Sequence, residues 1–180
     1  MKTKLAALSL AVLLAAPAYA VTDPMVGGAA MYPTKNIVEN AVNSKDHTTL
    51  VAAVKAAGLV DTLQGAGPFT VFAPTNAAFA ALPAGTVDTL LKPENKGQLT
   101  GVLTYHVVPM RLDSAMLDHM IMQGNGKATL KTVQGGTLTI AGKGKQLMVT
   151  DDKGSTAAVT IADVYQSNGV IMVVNKVLLP

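Results

Sequence analysis

The chain has 180 residues, with 14 basic and 11 acidic side chains, a mean hydropathy of +0.36 and no cysteine. The missing cysteine excludes disulfides and thiolate chemistry. A formal net charge of +3 with only 4% aromatic residues argues against nucleic-acid binding, which needs a concentrated basic face and stacking rings.

Lys2 and Lys4, the apolar run Leu5 to Ala16 and the small-residue site Ala18-Tyr19-Ala20 have the layout of an export signal over residues 1–20. The run is shorter than the roughly 20 residues of a comfortable membrane span. No cysteine follows it, which excludes a lipoprotein signal. Cleavage leaves residues 21–180 with twelve basic and eleven acidic side chains, a net +1, so the basic pI carries little information about partners. The expected product is one soluble domain in the periplasm or the medium, with no transmembrane segment in the mature chain.

Residues 21–35 read as a flexible arm punctuated by Gly, Ala and Pro, carrying Met25 and Met31. Asn36 to Val42 and Thr48 to Ala57 have helical spacing. Leu50, Val51 and Val54 share a face of the second helix, Asp46 or Thr48 is placed to cap it, and Gly58 stops it. Leu59 to Leu63 allows one more turn. Phe69 to Ala73 is a β-branched and aromatic run of strand type, ended by Pro74, which has no N–H to give. Thr75 and Asn76 are capping residues for the next helix, with Asn76 the better candidate if Thr75 completes the strand exit.

Val87 to Leu91 and Pro93 to Thr104 follow as helices, the latter with Leu99, Val102 and Leu103 inward. Leu112 to Met122 is helical between Asp113 and Gly124. From Ala128 the period becomes two. Strands are predicted at 128–133, 137–141, 146–150, 157–161 and 170–174, with Asn168-Gly169 supplying the positive φ angles of a tight hairpin. Helices first and strands second predict an α+β fold.

Four segments occur in a telling order. They are Asn36-Ile37-Val38, then Gly67-Pro68-Phe69-Thr70-Val71-Phe72-Ala73-Pro74-Thr75-Asn76-Ala77-Ala78-Phe79, then Tyr105-His106-Val107-Val108, then Ser167-Asn168-Gly169-Val170-Ile171-Met172-Val173-Val174-Asn175-Lys176-Val177-Leu178-Leu179-Pro180. In this order the chain resembles a fasciclin-like (FAS1) domain over residues 36–180. The resemblance implies a β-wedge of two small sheets with helices packed along one side, the strand before Pro74 pairing with strands from the C-terminal half. It also implies a non-enzymatic module for adhesion or protein and surface interaction, whose partner is a protein or a cell-surface or matrix component. In animal members a Tyr-His pair at the place of Tyr105-His106 is associated with adhesion, and those members also carry an Asp-Ile pair where Asp163-Val164 stands here. Tyr105, His106, Asp163 and Val164 are therefore interaction candidates. The competing expectation is structural: Tyr105 packs its ring and bonds backbone through its hydroxyl, and His106 bonds a carbonyl or carboxylate.

The sequence holds no nucleophile elbow, zincin helix or Walker loop. Gly124-Asn125-Gly126-Lys127 reads as a turn and Asp151-Asp152-Lys153-Gly154 as a hairpin tip. Soft-metal ligation is the alternative chemistry. Met116, His119 and Met120 stand at i, i+3 and i+4, with Met122 close behind. Met25 and Met31 lie on the arm, and Met172 stands where the family commonly has His. Thioether and imidazole together select Cu(I) without needing cysteine. The seven residues Met25, Met31, Met116, His119, Met120, Met122 and Met172 thus define a possible periplasmic Cu(I) protein, against the plainer use of Met as a filler of irregular cores. No other cofactor is expected.

Overall fold

The computed structural model describes residues 23–180, so the leader expected at 1–20 lies outside the described residues. Two strands organise the rest. β3 (Phe69–Pro74) and β9 (Gly169–Val174) run parallel side by side, with Phe69 opposite Gly169 and Pro74 opposite Val174. They lie within a seven-stranded sheet of order β4-β3-β9-β8-β7-β6-β5. Its other members are β4 (Val107–Val108), β5 (Ala128–Lys131), β6 (Thr137–Lys143), β7 (Gln146–Thr150) and β8 (Thr156–Gln166). Every residue of β9 is buried, which is why it reads as an unbroken apolar run.

Side-chain alternation splits β3 and β9 between two cores. Phe72, Val170, Met172 and Val174 face one way; Val71, Ala73, Ile171 and Val173 face the other. β8 makes the wedge. Its first three residues pair with β7, the rest pair with β9, and the register shifts twice between Val159 and Val164. Such bulges bend a strand, and here the two halves of the sheet fold toward each other. Leu130, Leu138, Ile140, Leu147 and Val149 from one half meet Phe72, Met172 and Val174 from the other. The edges almost touch: Val133 N donates to Val107 O at 2.8 Å. α7 (Ser114–Gln123), capped by Asp113 as its sequence predicts, adds Leu117 and Ile121 to this core.

Six helices cover the opposite face of β3 and β9: α1 (Ile37–Ala41), α2 (Thr48–Ala57), α3 (Val60–Gln64), α4 (Asn76–Ala80), α5 (Thr86–Leu90) and α6 (Lys96–Tyr105). Each gives at least one buried apolar residue to the helix-side core, from Ile37 on α1 to Leu103 on α6. α1 starts with a full capping box: Asn36 accepts from Glu39 N at 2.9 Å and Glu39 accepts from Asn36 N at 2.8 Å. α2 ends on Gly58 at φ 72°, a left-handed closing position that suits glycine.

Three local expectations are corrected. Thr75, not Asn76, caps α4, its hydroxyl accepting from Ala78 N at 3.2 Å. Asn76 instead accepts from Thr49 N at 3.0 Å and donates to Lys45 O at 2.8 Å, so α2 is capped from across the fold and neither Asp46 nor Thr48 does it. At the second signature, the turn between β8 and β9 is Ser167-Asn168, and neither Asn168 nor Gly169 has a positive φ. Gly169 is needed because a Cβ there would strike the Phe69 carbonyl oxygen. Asn168 is needed because its side chain accepts from Ile37 N at 3.1 Å and donates to Leu63 O at 2.7 Å and Gly65 O at 2.8 Å. One amide thus ties α1, the end of α3 and the tail hairpin together.

The arm expected to be flexible is packed. Met25–Val26 (β1) and Ala29–Ala30 (β2) form a two-stranded ribbon around Gly27 and Gly28, both at the positive φ such a turn requires. Val26 and Met31 are buried in the helix-side core. Gly27 O accepts from Lys45 N at 3.1 Å, and the Asn40 amide holds both Tyr32 N and Tyr32 O. The packed body therefore begins ahead of Asn36.

Candidate functional site

The Tyr-His pair sits where α6 runs into β4. Tyr105 is wholly buried; its hydroxyl donates to Thr137 O at 2.7 Å and accepts from Asp152 N at 2.9 Å. Burial pushes the phenol up to about 12. His106 lies 2.8 Å from Val102 O through Nδ1, and its Nε2 accepts from Leu178 N at 2.9 Å. Those partners define a neutral ring with the proton on Nδ1. Burial pushes it down to about 4. The pair braces α6 against β6, the Asp152 turn and the C-terminal tail.

Val164 is also wholly buried. Asp163, half-buried on the β8 bulge at φ 60°, accepts from both Ser114 N and Ser114 Oγ at 2.6 Å. Three of the four interaction candidates thus face inward, and the fourth is spent on clamping the start of α7. The polar tips of Tyr105, His106 and Asp163 are all bonded within the fold, as the structural expectation for the Tyr-His pair had it.

The surface beside them carries different groups. Alternation along β8 turns Val164 and Gln166 inward and Tyr165 outward. The Tyr165 hydroxyl donates to Asp113 Oδ2 at 3.2 Å, and the Arg111 guanidinium stands 5.9 Å from the centre of its ring. Partial burial and then the Asp113 carboxylate raise the phenol above its ordinary range. Arg111 Nη2 donates to Gln166 O at 3.1 Å, which fixes the stack. Exposed Met110 and Met116 flank it in the chain. Arg, Tyr and Met are the residue types enriched in the centres of protein interfaces. Arg111 is the chain's single arginine, a signal available in the sequence. Tyr165 carries no such signal, because β8 extends five residues beyond the predicted end at 161 and its outward parity belongs to that extension.

The seven soft-ligand candidates do not gather into one centre. Met31 lies in the helix-side core and Met172 in the wedge core, with the β3–β9 sheet between them. Met25 is exposed on β1. On α7, Met116, His119 and Met122 are exposed, whereas Met120 is partly buried and packs against the wedge core beside Leu117 and Ile121. Among the described residues no group of three or more His, Cys, Asp or Glu side chains is placed to hold a metal ion.

A wedge of two sheet halves, helices over one outer face and a Tyr-His brace define a fasciclin-type domain. The fasciclin domain profile matches residues 45–180, and the chain belongs to that family. Protein sll1483 of Synechocystis is 48% identical over 159 residues, covering 87% of this chain and 79% of its own length. Immunogenic protein MPB70 of Mycobacterium bovis is 39% identical over 78% of this chain, and cell surface glycolipoprotein MPB83 of the same species is 34% identical over 88%. This chain spans 66% and 61% of those two mycobacterial proteins. A solved FAS1 domain pair from the insect cell adhesion molecule fasciclin I matches 72% of this chain and 43% of its own, with a TM-score of 0.56 at 21% identity, a likeness of fold. Among the described residues no helix is long and apolar enough to cross a membrane.

Proposed function

We propose that the protein is a non-enzymatic interaction module of the cell envelope, exported by its leader, which engages a protein or surface component through the face built by Arg111 and Tyr165. One observation carries this: an exposed arginine–tyrosine stack is held rigid by bonds to Asp113 and Gln166, while the buried Tyr105, His106 and Asn168 are all committed to backbone. A preordered aromatic and guanidinium pair loses little side-chain entropy on docking. That relatives include a cell surface glycolipoprotein supports the location. The test is binding of purified protein to isolated envelope fragments. Arg111→Ala with Tyr165→Ala lowers binding and leaves the denaturation midpoint in place; unchanged binding by that double variant rejects the face.

A second reading, Cu(I) capture, is confined to α7. It is favoured by the spacing of Met116, His119 and Met120 within about one turn of that helix, with Met116 and His119 exposed and Met120 partly buried against the wedge core. Competition against a chromogenic Cu(I) chelator checks it: replacing His119 and Met120 abolishes capture, and replacing Met31 or Met172 does not.

A further inference from the structure

A pocket opens through the helical layer between α1, α2, α3 and α6, and its floor is strand β3. Val54, Leu63, Val71 and Leu103 line it. Its free volume is about 60 Å³. A second apolar space of about 30 Å³ continues behind Ile37, Ala41, Leu50 and Val71, which line both. Water gains little here, because an internal water needs two or more polar partners. His106 reaches the wall, but both its ring nitrogens are taken by Val102 and Leu178.

The shape selects the occupant. A cavity of about 150 Å³ is the size that accommodates benzene, so this one, at about 60 Å³, refuses a ring and has room only for the last few methylenes of an unbranched chain. The mouth selects the head group. Lys55 is the one charged side chain on the lining, no carboxylate is present there, and the Thr104 hydroxyl is already given to Thr100 O and Gly101 O. Lys55 and Thr62 are exposed, so a head group at this rim stays hydrated while the chain does not. We propose that this pocket binds a free fatty acid, its terminal methylenes against Val54, Leu63 and Leu103 and its carboxylate at Lys55. This site is separate from the Arg111–Tyr165 face and stands or falls independently of it.

The test uses the purified protein with methyl labels on Val and Leu, titrated with sodium decanoate below its micelle concentration. Decanol and cyclohexanecarboxylate are the comparison probes. Decanoate shifts the methyl signals of Val54, Leu63 and Leu103 and raises the melting temperature, as any ligand of the folded state must. Cyclohexanecarboxylate does neither. Lys55→Glu weakens decanoate about tenfold, the scale expected for reversing one exposed charge contact, and leaves decanol unchanged. Ala41→Leu, which fills the back of the space, removes both. Lys55 is an exposed helix position, so the first variant folds even if the second does not. No methyl shift at millimolar decanoate, equal binding of the ring acid, shifts away from this pocket, or a decanoate affinity indifferent to Lys55→Glu overturns the proposal.

Discussion

The two cores on either side of β3 and β9 are built to different tolerances. In the wedge, thirteen of eighteen core residues are completely buried; on the helix side one of twenty-two is, Val164. The wedge is closed by long strands whose side chains interdigitate at fixed spacing, plus the larger groups Phe72, Tyr105 and Met172. The helix side relies on α1, α3, α4 and α5, each five residues long, and on many Ala and Val side chains. Helices that short offer little ridge to fit a groove. Both apolar pockets described above lie on that side. Rigidity and free space are thus divided between the two faces of one pair of strands.

Truncating each core in turn separates them most sharply. Phe72→Ala, at a fully buried wedge position, is expected to cost about 3–5 kcal/mol in urea denaturation. Leu50→Ala borders both existing pockets and falls at the low end of its class, about 2–3 kcal/mol. Equal losses would erase the distinction.

Acid comes next. His106 is pushed down to about 4 by burial, so between pH 6.5 and 4 the unfolded chain binds a proton that the folded one refuses. Stability is therefore full above pH 6.5 and falls as pH drops through that window, by about 3 kcal/mol for this residue. His47, on the helix side and also lowered by burial, acts in the same direction. Urea midpoints at pH 7, 5 and 4 measure the slope, and His106→Gln removes most of it; a slope unaltered in that variant contradicts the wedge brace.

Smaller effects follow at the caps. Thr75→Ala and Asn76→Ala are each expected to cost about 1 kcal/mol. The second acts on α2, which lies twenty-odd residues away in the chain, so hydrogen exchange at Thr49 rises in Asn76→Ala and not in Thr75→Ala. Smallest is Ala41→Leu, where filling unused space raises stability by up to about 1 kcal/mol. A clear loss instead would mean that the helix side is as tightly packed as the wedge.

Much of this was legible. The bounds of α2, of β7 and nearly those of β3 and β9 follow from period, glycine and proline. Asp113 caps the helix it precedes as its place in the chain predicts, because a cap bond spans only three residues; Asn36, read as the first helical residue, is instead the cap of α1. The site was less legible. Tyr105 and His106 stand out in the chain, yet nothing adjacent to them shows that Thr137, Asp152 and Leu178 answer their polar atoms. Met31 and Met172 share a ligand chemistry in sequence and lie on opposite faces of a sheet in space.

By itself the amino-acid sequence determined the family, the alternation that sends β3 and β9 into two cores, and the starts and stops of most helices, because these depend on neighbours within a turn or two. Only the tertiary structure decided that Asn76 serves α2, that Asn168 joins three elements, that the arm before Asn36 completes the core, and that Arg111 meets Tyr165. Each of those is a bond or contact between groups distant along the chain, and its partner is chosen by which backbone atoms the closed wedge leaves unanswered.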